Sequence, residues 1–211
     1  MSALDPARTV AELQELRTLT GDEHGAQRLA WTPGWAAARS WFGEQLAGLP
    51  VTREVDEAGN VWVTLPGASP TSVVMGGHFD SVPNGGWLDG SLNVLAGLEV
   101  LRRLAAEGTP PLTVKLVDWA DEEGARFGRS LVGSSACSGN FDPALRGALR
   151  DADGVTLRAA MGAAGIDIDQ APAARTRLAG AAAYVELHIE QGPVLERLGL
   201  PLAAVVGTTG I

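Results

Sequence analysis

The sequence predicts an α/β fold: a mixed, largely parallel sheet flanked by helices. Three observations carry that prediction. Short apolar runs around Val73-Val74-Met75, from Leu112 to Trp119 and from Ala182 to Ile189 read as strands, the first two as buried ones. A segment of helical apolar spacing, Gly90 to Glu107, lies between the first two. Clusters of acids and imidazoles follow the strand ends, where open α/β sheets keep their ligand sites.

Taken in order, residues 5 to about 20 repeat apolar side chains at helical intervals, with Asp5 as a cap and Pro6 in the first turn. A second helix is expected from Gly34 to Leu46, with Pro33 near its start and Gly48 near its end. Val51 to Leu65 alternates around Gly59-Asn60, which predicts two strands and a turn. Thr71 to Gly77 is the first buried strand. The helix after it repeats Leu92, Leu95, Ala96, Leu98, Val100, Leu101 and Leu104 at helical intervals, and Gly108 with Pro110-Pro111 stops it. Leu112 to Trp119 follows as the second strand. From Ser130 to about Gly180 the pattern is helical and Ala-rich, broken at Pro143 and Gly154. Asp151-Ala152-Asp153-Gly154 is a loop, since a calcium loop needs more oxygen ligands and a terminal Glu. After the third strand come a short helix from Pro193 to Leu198 and a further strand over Leu202 to Val206.

Bulk properties narrow the class. A chain of 211 residues suffices for one sizeable α/β domain, and 45% apolar with 19% charged residues is ordinary globular composition. A net charge of −9 argues against a nucleic-acid partner, which demands clustered Lys and Arg. The lone Cys137 cannot form an internal disulfide and reads as packing among small residues. Met1 to Asp5 lacks a basic-then-apolar leader, and no apolar stretch reaches the roughly 18 residues of a membrane span. A cytoplasmic protein is expected.

The chemistry lies in three segments: Gly77 to Gly90, Asp121-Glu122-Glu123 and Glu186 to Gly192. His78 and Asp80, two apart at a strand end, share a face, so His78 can bind a metal while Asp80 accepts its hydrogen bond. Asp89, across a Gly-rich loop, offers a carboxylate able to bridge two cations. Of two adjacent acids such as Glu122 and Glu123, one can ligate while its neighbour stays free as a base, the division that metal-assisted hydrolysis requires. His188 supplies a second nitrogen. A lone strand-end His is more often structural, and paired acids after a strand are commonly a solvated loop. It is the coincidence of the clusters at Gly-flanked strand ends that outweighs those readings. His24 lacks that setting and reads as a loop residue. Trp87, inside the loop, is open to packing or to substrate contact. No Gly-x-Ser-x-Gly elbow and no phosphate loop ending in Lys-Ser or Lys-Thr is present.

The runs Gly77-His78-Phe79-Asp80-Ser81-Val82-Pro83-Asn84, Asp121-Glu122-Glu123-Gly124-Ala125-Arg126 and Glu186-Leu187-His188-Ile189-Glu190-Gln191 resemble the M20 metallopeptidase superfamily. Within it they resemble the hydantoinase/carbamoylase branch, which includes N-carbamoyl-L-amino acid hydrolases and allantoate amidohydrolases. His rather than Glu at position 188 selects that branch, and Gly25 to Thr32 looks like its early loop. The resemblance implies a zinc-exopeptidase-like catalytic domain holding two divalent cations, Zn2+ foremost, with Mn2+, Co2+ and Ni2+ also accepted by such donors. It implies His78 and His188 on one metal, Asp89 bridging, Glu123 on the second and Glu122 as base. Asp80 would orient His78, and Gln191 would contact substrate or support the site. Asn93, where many relatives have Gly, is expected to leave the chemistry unaffected.

The implied reaction is hydrolysis of a carbamoyl or ureido C–N bond in a small molecule. Members of the branch are about twice this length and homodimeric. Residues 1–211 are therefore expected to form an incomplete M20-type catalytic domain, ending where a lid and dimerisation domain would begin. Such a piece would lack a final His ligand and be inactive or impaired. Two other readings stand beside this one: a truncated, non-catalytic metal-binding module, and a general M20 aminoacylase or peptidase, which His188 disfavours.

Overall fold

The computed structural model describes residues 4–207. The start at Met1 to Ala3 and the close at Thr208 to Ile211, on which the expectations of no leader and of an unfinished domain partly rest, lie outside them.

Helix α1 (Pro6–Thr20) begins where the Asp5 carboxylate accepts the Arg8 amide, with proline at a position that needs no amide donor. A two-residue hairpin that the pattern does not announce, β1 (Gly21–Asp22) with β2 (Gly25–Ala26), follows and carries His24 in its turn. Helix α2 (Pro33–Gln45) precedes the antiparallel pair β3 (Thr52–Val55) and β4 (Val61–Leu65). Asp56 accepts the amides of Ala58 and Asn60, and its other oxygen takes the Asn60 amide and the Trp62 indole, which fixes the turn between them.

Strand β5 (Ser72–His78), helix α3 (Ser91–Glu107) and strand β6 (Thr113–Trp119) form the expected strand–helix–strand unit, with β5 and β6 parallel. Then come α4 (Val132–Cys137), α5 (Pro143–Gly147), α6 (Leu157–Ala163) and a 3-10 helix over Ala171–Leu178. Strand β7 (Ala181–Val185) and helix α7 (Val194–Leu198) complete the described elements.

The main sheet has the order β3-β4-β6-β5-β7 and is mixed. Its pairings β6–β5 and β5–β7 are parallel; β3–β4 and β4–β6 are antiparallel. Period-2 alternation divides its side chains between two cores. Val61, Val63, Leu65, Val114 and Leu116 meet α1, α2 and α3 on one face through Leu13, Phe42, Leu95 and Leu98. Trp62, Val74, Val117 and Trp119 face Val132, Leu157, Met161 and Ile168 on the other.

Two expectations are corrected. The third strand stops at Val185, not Ile189, and Leu202 to Val206 forms no strand. The pairing of β7 with β5 ends at Val185 opposite Met75, although β5 itself runs on to His78. Residues 199–207 are all exposed, so that stretch has no packed face to hold it as a strand. Cys137 is buried 3.5 Å from the Asn60 amide, and burial pushes its thiol up to about 12, so it packs as an inert group. Trp87 packs against the first core with the Arg17 guanidinium over its ring, which favours its packing role.

Candidate metal centre

The acid and imidazole residues meet beyond the carboxyl ends of β5 and β6. His78 is the last residue of β5, and its Nδ1 lies 2.9 Å from the Asp80 carbonyl oxygen. With Nδ1 so engaged, Nε2 faces the cavity, where it stands 3.9 Å from Asp89 Oδ1 and 3.6 Å from Glu122 Oε2. The ring rests directly on Gly90, whose φ of 65° and missing Cβ are both required, since a Cβ there would overlap the imidazole and the His78 carbonyl.

Asp80 takes a different partner from the one its spacing suggests. Its backbone carbonyl, not its carboxylate, engages His78. The carboxylate instead accepts the amides of Glu122 and Glu123 at 3.2 and 3.0 Å, tying the acidic turn after β6 to the loop after β5. Asp121 holds that turn at a φ of 51°, a conformation that Asp tolerates better than most residues.

His188 lies three residues beyond β7 with Nδ1 engaged by the Ile189 carbonyl, and its Nε2 is 3.6 Å from the same Asp89 oxygen. Gln191 donates to the other Asp89 oxygen at 2.6 Å. His78, Asp89, Glu122, Glu123, His188 and Gln191 thus line one cavity of about 240 Å3. Every residue named for the site by sequence except Asp80 lines it, and Asp80 braces it from behind. Larger cavities of about 620 and 470 Å3 lie elsewhere and contain no imidazole.

The charges press on one another. Burial raises Glu122 above the ordinary carboxylate range; His78 opposes this, while Asp80, Glu123 and Glu186 add to it. Glu123 is raised by burial too, again against His78 and with Asp89. Burial by itself would lower His78, but Asp80, Glu122 and Glu123 outweigh it and the net shift is upward. A site of this kind gains from a cation.

Asp89 supplies the test of fit. Its Oδ1 is buried and has no hydrogen-bond partner, yet two imidazole nitrogens point at it. An orphaned carboxylate oxygen is costly unless a cation or proton satisfies it. Nitrogen and oxygen donors each about 2.1 Å from one tetrahedral cation stand roughly 3.4 Å apart. The observed 3.6 and 3.9 Å fall a few tenths of an ångström wider. Among the described residues no three such side chains are already closed to coordinating distance, so the donors ring the cavity and would draw in on binding.

Three further residues at this centre, Ser130, Glu186 and Asn93, receive no role from the sequence, although Glu186 opens one of its motifs. Ser130 lines the cavity. Glu186 accepts from the Asn93 amide at 2.6 Å and from the Tyr184 hydroxyl, and the Trp119 indole donates to Tyr184. Asn93 therefore ties α3 to the segment leading to His188, a role its sequence position does not disclose.

Residues 60–169 match the sequence pattern of Peptidase family M28. An N-carbamoyl-L-amino acid amidohydrolase of Geobacillus stearothermophilus is 42% identical over 193 residues, 89% of this chain and 46% of that protein. An allantoate amidohydrolase of Bacillus subtilis (strain 168) is 36% identical over 190 residues, 88% of this chain and 45% of that protein. A solved hydantoinase/carbamoylase family amidase from Burkholderia ambifaria superposes with a TM-score of 0.81 at 35% identity, over 93% of this chain and 48% of that one. The chain spans about half the length of the curated relatives it matches. The motifs point to the M20 superfamily, whereas the matching pattern is that of M28; the hydantoinase/carbamoylase branch is common to the motifs and the solved relative.

Proposed function

The chain belongs to Peptidase family M28 through residues 60–169 and to the hydantoinase/carbamoylase amidases through its relatives, and we propose that it builds most of a two-metal centre for hydrolysing linear amide or ureido C–N bonds. The substrates would be N-carbamoyl-L-amino acids, allantoate or related ureido acids. The observation that carries this reading is the buried, unpartnered Asp89 oxygen facing the Nε2 atoms of His78 and His188.

In this reading His78, His188 and Asp89 would hold one cation, and Asp89 with Glu123 would hold another. Divalent cations there would polarise the scissile carbonyl and ease deprotonation of the attacking water. Glu122 is the group that would take the proton from that water and pass it to the departing nitrogen. Asp80 keeps Glu122 and Glu123 in register through their amides, and Gln191 holds the Asp89 carboxylate in one orientation. Zn2+ suits these donors, and Mn2+, Co2+ and Ni2+ suit them as well.

With two carboxylates as its only donors from the described residues, the second cation would be weakly held. The 211 residues alone would then hydrolyse slowly or not at all, and a lid, a dimer contact and a further imidazole would come from a longer chain. Ammonia and amino-acid release from N-carbamoyl-L-amino acids and allantoate, measured with added Zn2+, Mn2+ or Co2+, tests the reaction. In a longer chain with turnover, Glu122→Gln should lower kcat by about 10^2- to 10^4-fold and leave metal uptake intact. A Gln variant with parental kcat would remove Glu122 from the role of base. Preferential cleavage of N-acetyl amino acids or peptides would replace the ureido assignment.

A further inference from the structure

The most conspicuous buried charge outside the cavity is Arg28. It is fully buried, and no carboxylate lies within ion-pair distance of it among the described residues. Its Nε donates to the Phe79 carbonyl at 2.7 Å, and its Nη2 donates to the Ser91 hydroxyl at 2.8 Å. The Arg28 amide donates to Ser81 Oγ, and the Ser81 amide donates back to the Arg28 carbonyl, each at 3.1 Å. Phe79 is gripped from the other side as well, because its amide donates to Asp118, which Arg39 pairs at 2.6 Å.

These contacts have a pattern. Phe79 follows His78 directly, and Ser91 lies two residues past Asp89. The guanidinium therefore bridges the two ends of the loop that carries both donors. Burying a cation this deeply is expensive, and an apolar side chain would fill the same space without that cost if packing were the only demand. Burial lowers the pKa to about 10, with Asp80 and Asp118 the acids that oppose the fall. The planar fork of Arg can reach a carbonyl and a hydroxyl in two directions at once, which the single ammonium of Lys cannot do.

We infer that Arg28 is a positioning residue for the metal centre: its guanidinium clamps the 79–91 loop at both ends and so sets the separation of His78 from Asp89. The inference rests on the metal-centre reading above. Partners that orient metal ligands typically change affinity by about 10- to 100-fold when removed.

The test titrates Co2+ into chelator-treated chain, with calorimetry and the visible Co2+ spectrum as readouts and the metal-free melting temperature as the measure of fold. Arg28→Lys should weaken Co2+ binding by about 10- to 100-fold and alter the spectrum. Ser91→Ala removes one end of the clamp, keeps the buried charge and should move affinity the same way. Thr20→Ala removes the guanidinium's contact at 3.3 Å that does not reach the loop, and should leave affinity within about two-fold. Folded Arg28→Lys and Ser91→Ala proteins that bind Co2+ as tightly as the parent overturn the inference. So do Thr20→Ala and Ser91→Ala variants weakened equally, which would mean general softening of the fold. A parent chain that takes up no Co2+ overturns the metal-centre reading, and this inference with it.

Discussion

At the scale of single residues, the centre is a set of acids forced together and held from behind. Asp121 carries the sharpest consequence of that crowding. It is fully buried beneath the acidic turn, and burial together with Asp80 raises it to about 7, against the opposing Trp31 hydrogen bond. An acid whose folded pKa exceeds its unfolded value favours the folded state below the unfolded pKa and loses that advantage as pH rises to the folded one. The metal-free chain should therefore lose stability between about pH 4 and 7, by roughly 3 kcal/mol from this group. Asp121→Asn keeps the shape and an acceptor for Trp31, tolerates the positive φ, and should flatten that slope. Urea unfolding at pH 4.5 and 7.5 checks it; an Asn variant whose decline equals the parent's would remove Asp121 as the cause.

Sequence discloses residues better than it discloses their partners. That His78, Asp89, Glu122, Glu123, His188 and Gln191 share one cavity is readable because chemistry fixes their types and three short Gly-flanked motifs group them. Arg28 and Asn93 are not, because nothing in a linear pattern separates a buried, hydrogen-bonded polar side chain from an exposed one. Asp80 lies between these cases. Its period-2 relation to His78 is visible, whereas the choice of carbonyl over carboxylate is a matter of local backbone direction.

At the scale of elements, the β5–loop–α3 unit builds one side of the centre. Helix α3 can approach β5 closely because Gly77 leaves room for Asn93, and Gly90 lets the chain turn under the His78 ring. Gly90→Ala would place a methyl group against that imidazole at a backbone conformation unsuited to L residues. We expect a loss of about 1–3 kcal/mol in stability from overpacking alone, accompanied by weakened Co2+ binding as His78 is displaced. Thermal unfolding and a Co2+ titration check both; unchanged affinity would show that the ring need not rest on Gly90. The helices and central strands are legible because their apolar periods of 3.6 and 2 are sustained over many residues. The β1–β2 hairpin is two residues a side and too short to generate a period. β7 leaves the sheet at Val185 while its neighbour β5 continues to His78, and no residue preference in the sequence marks that point.

At the scale of the molecule, two bodies of core sandwich a sheet whose last strand and following residues stand in solvent. Tyr184, Val185, Leu187, Leu198 and Leu202 are exposed apolar side chains in that segment, yet it also carries His188 and Gln191. One half of the centre thus sits on rigid β5 and β6 and the other on the least buried stretch of chain. Local opening follows burial, so amides of residues 186–198 should exchange with solvent far faster than those of β5 and β6. Bound cations would tie His188 to Asp89 and slow exchange at residues 186–191 by on the order of ten-fold or more. Hydrogen exchange with and without Co2+ reads this directly, and protection unchanged by the cation would place His188 outside the centre.

The central claim is that Asp89 is the shared carboxylate on which both imidazoles converge. Direct titration of Zn2+ or Co2+ into the chelator-treated chain and its Asp89→Asn variant tests it most directly. The parent should bind at least one cation per chain, and the isosteric Asn variant, folded and melting near the parent, should bind about 100-fold more weakly or not at all. Equal affinity and stoichiometry in the two proteins would contradict the claim.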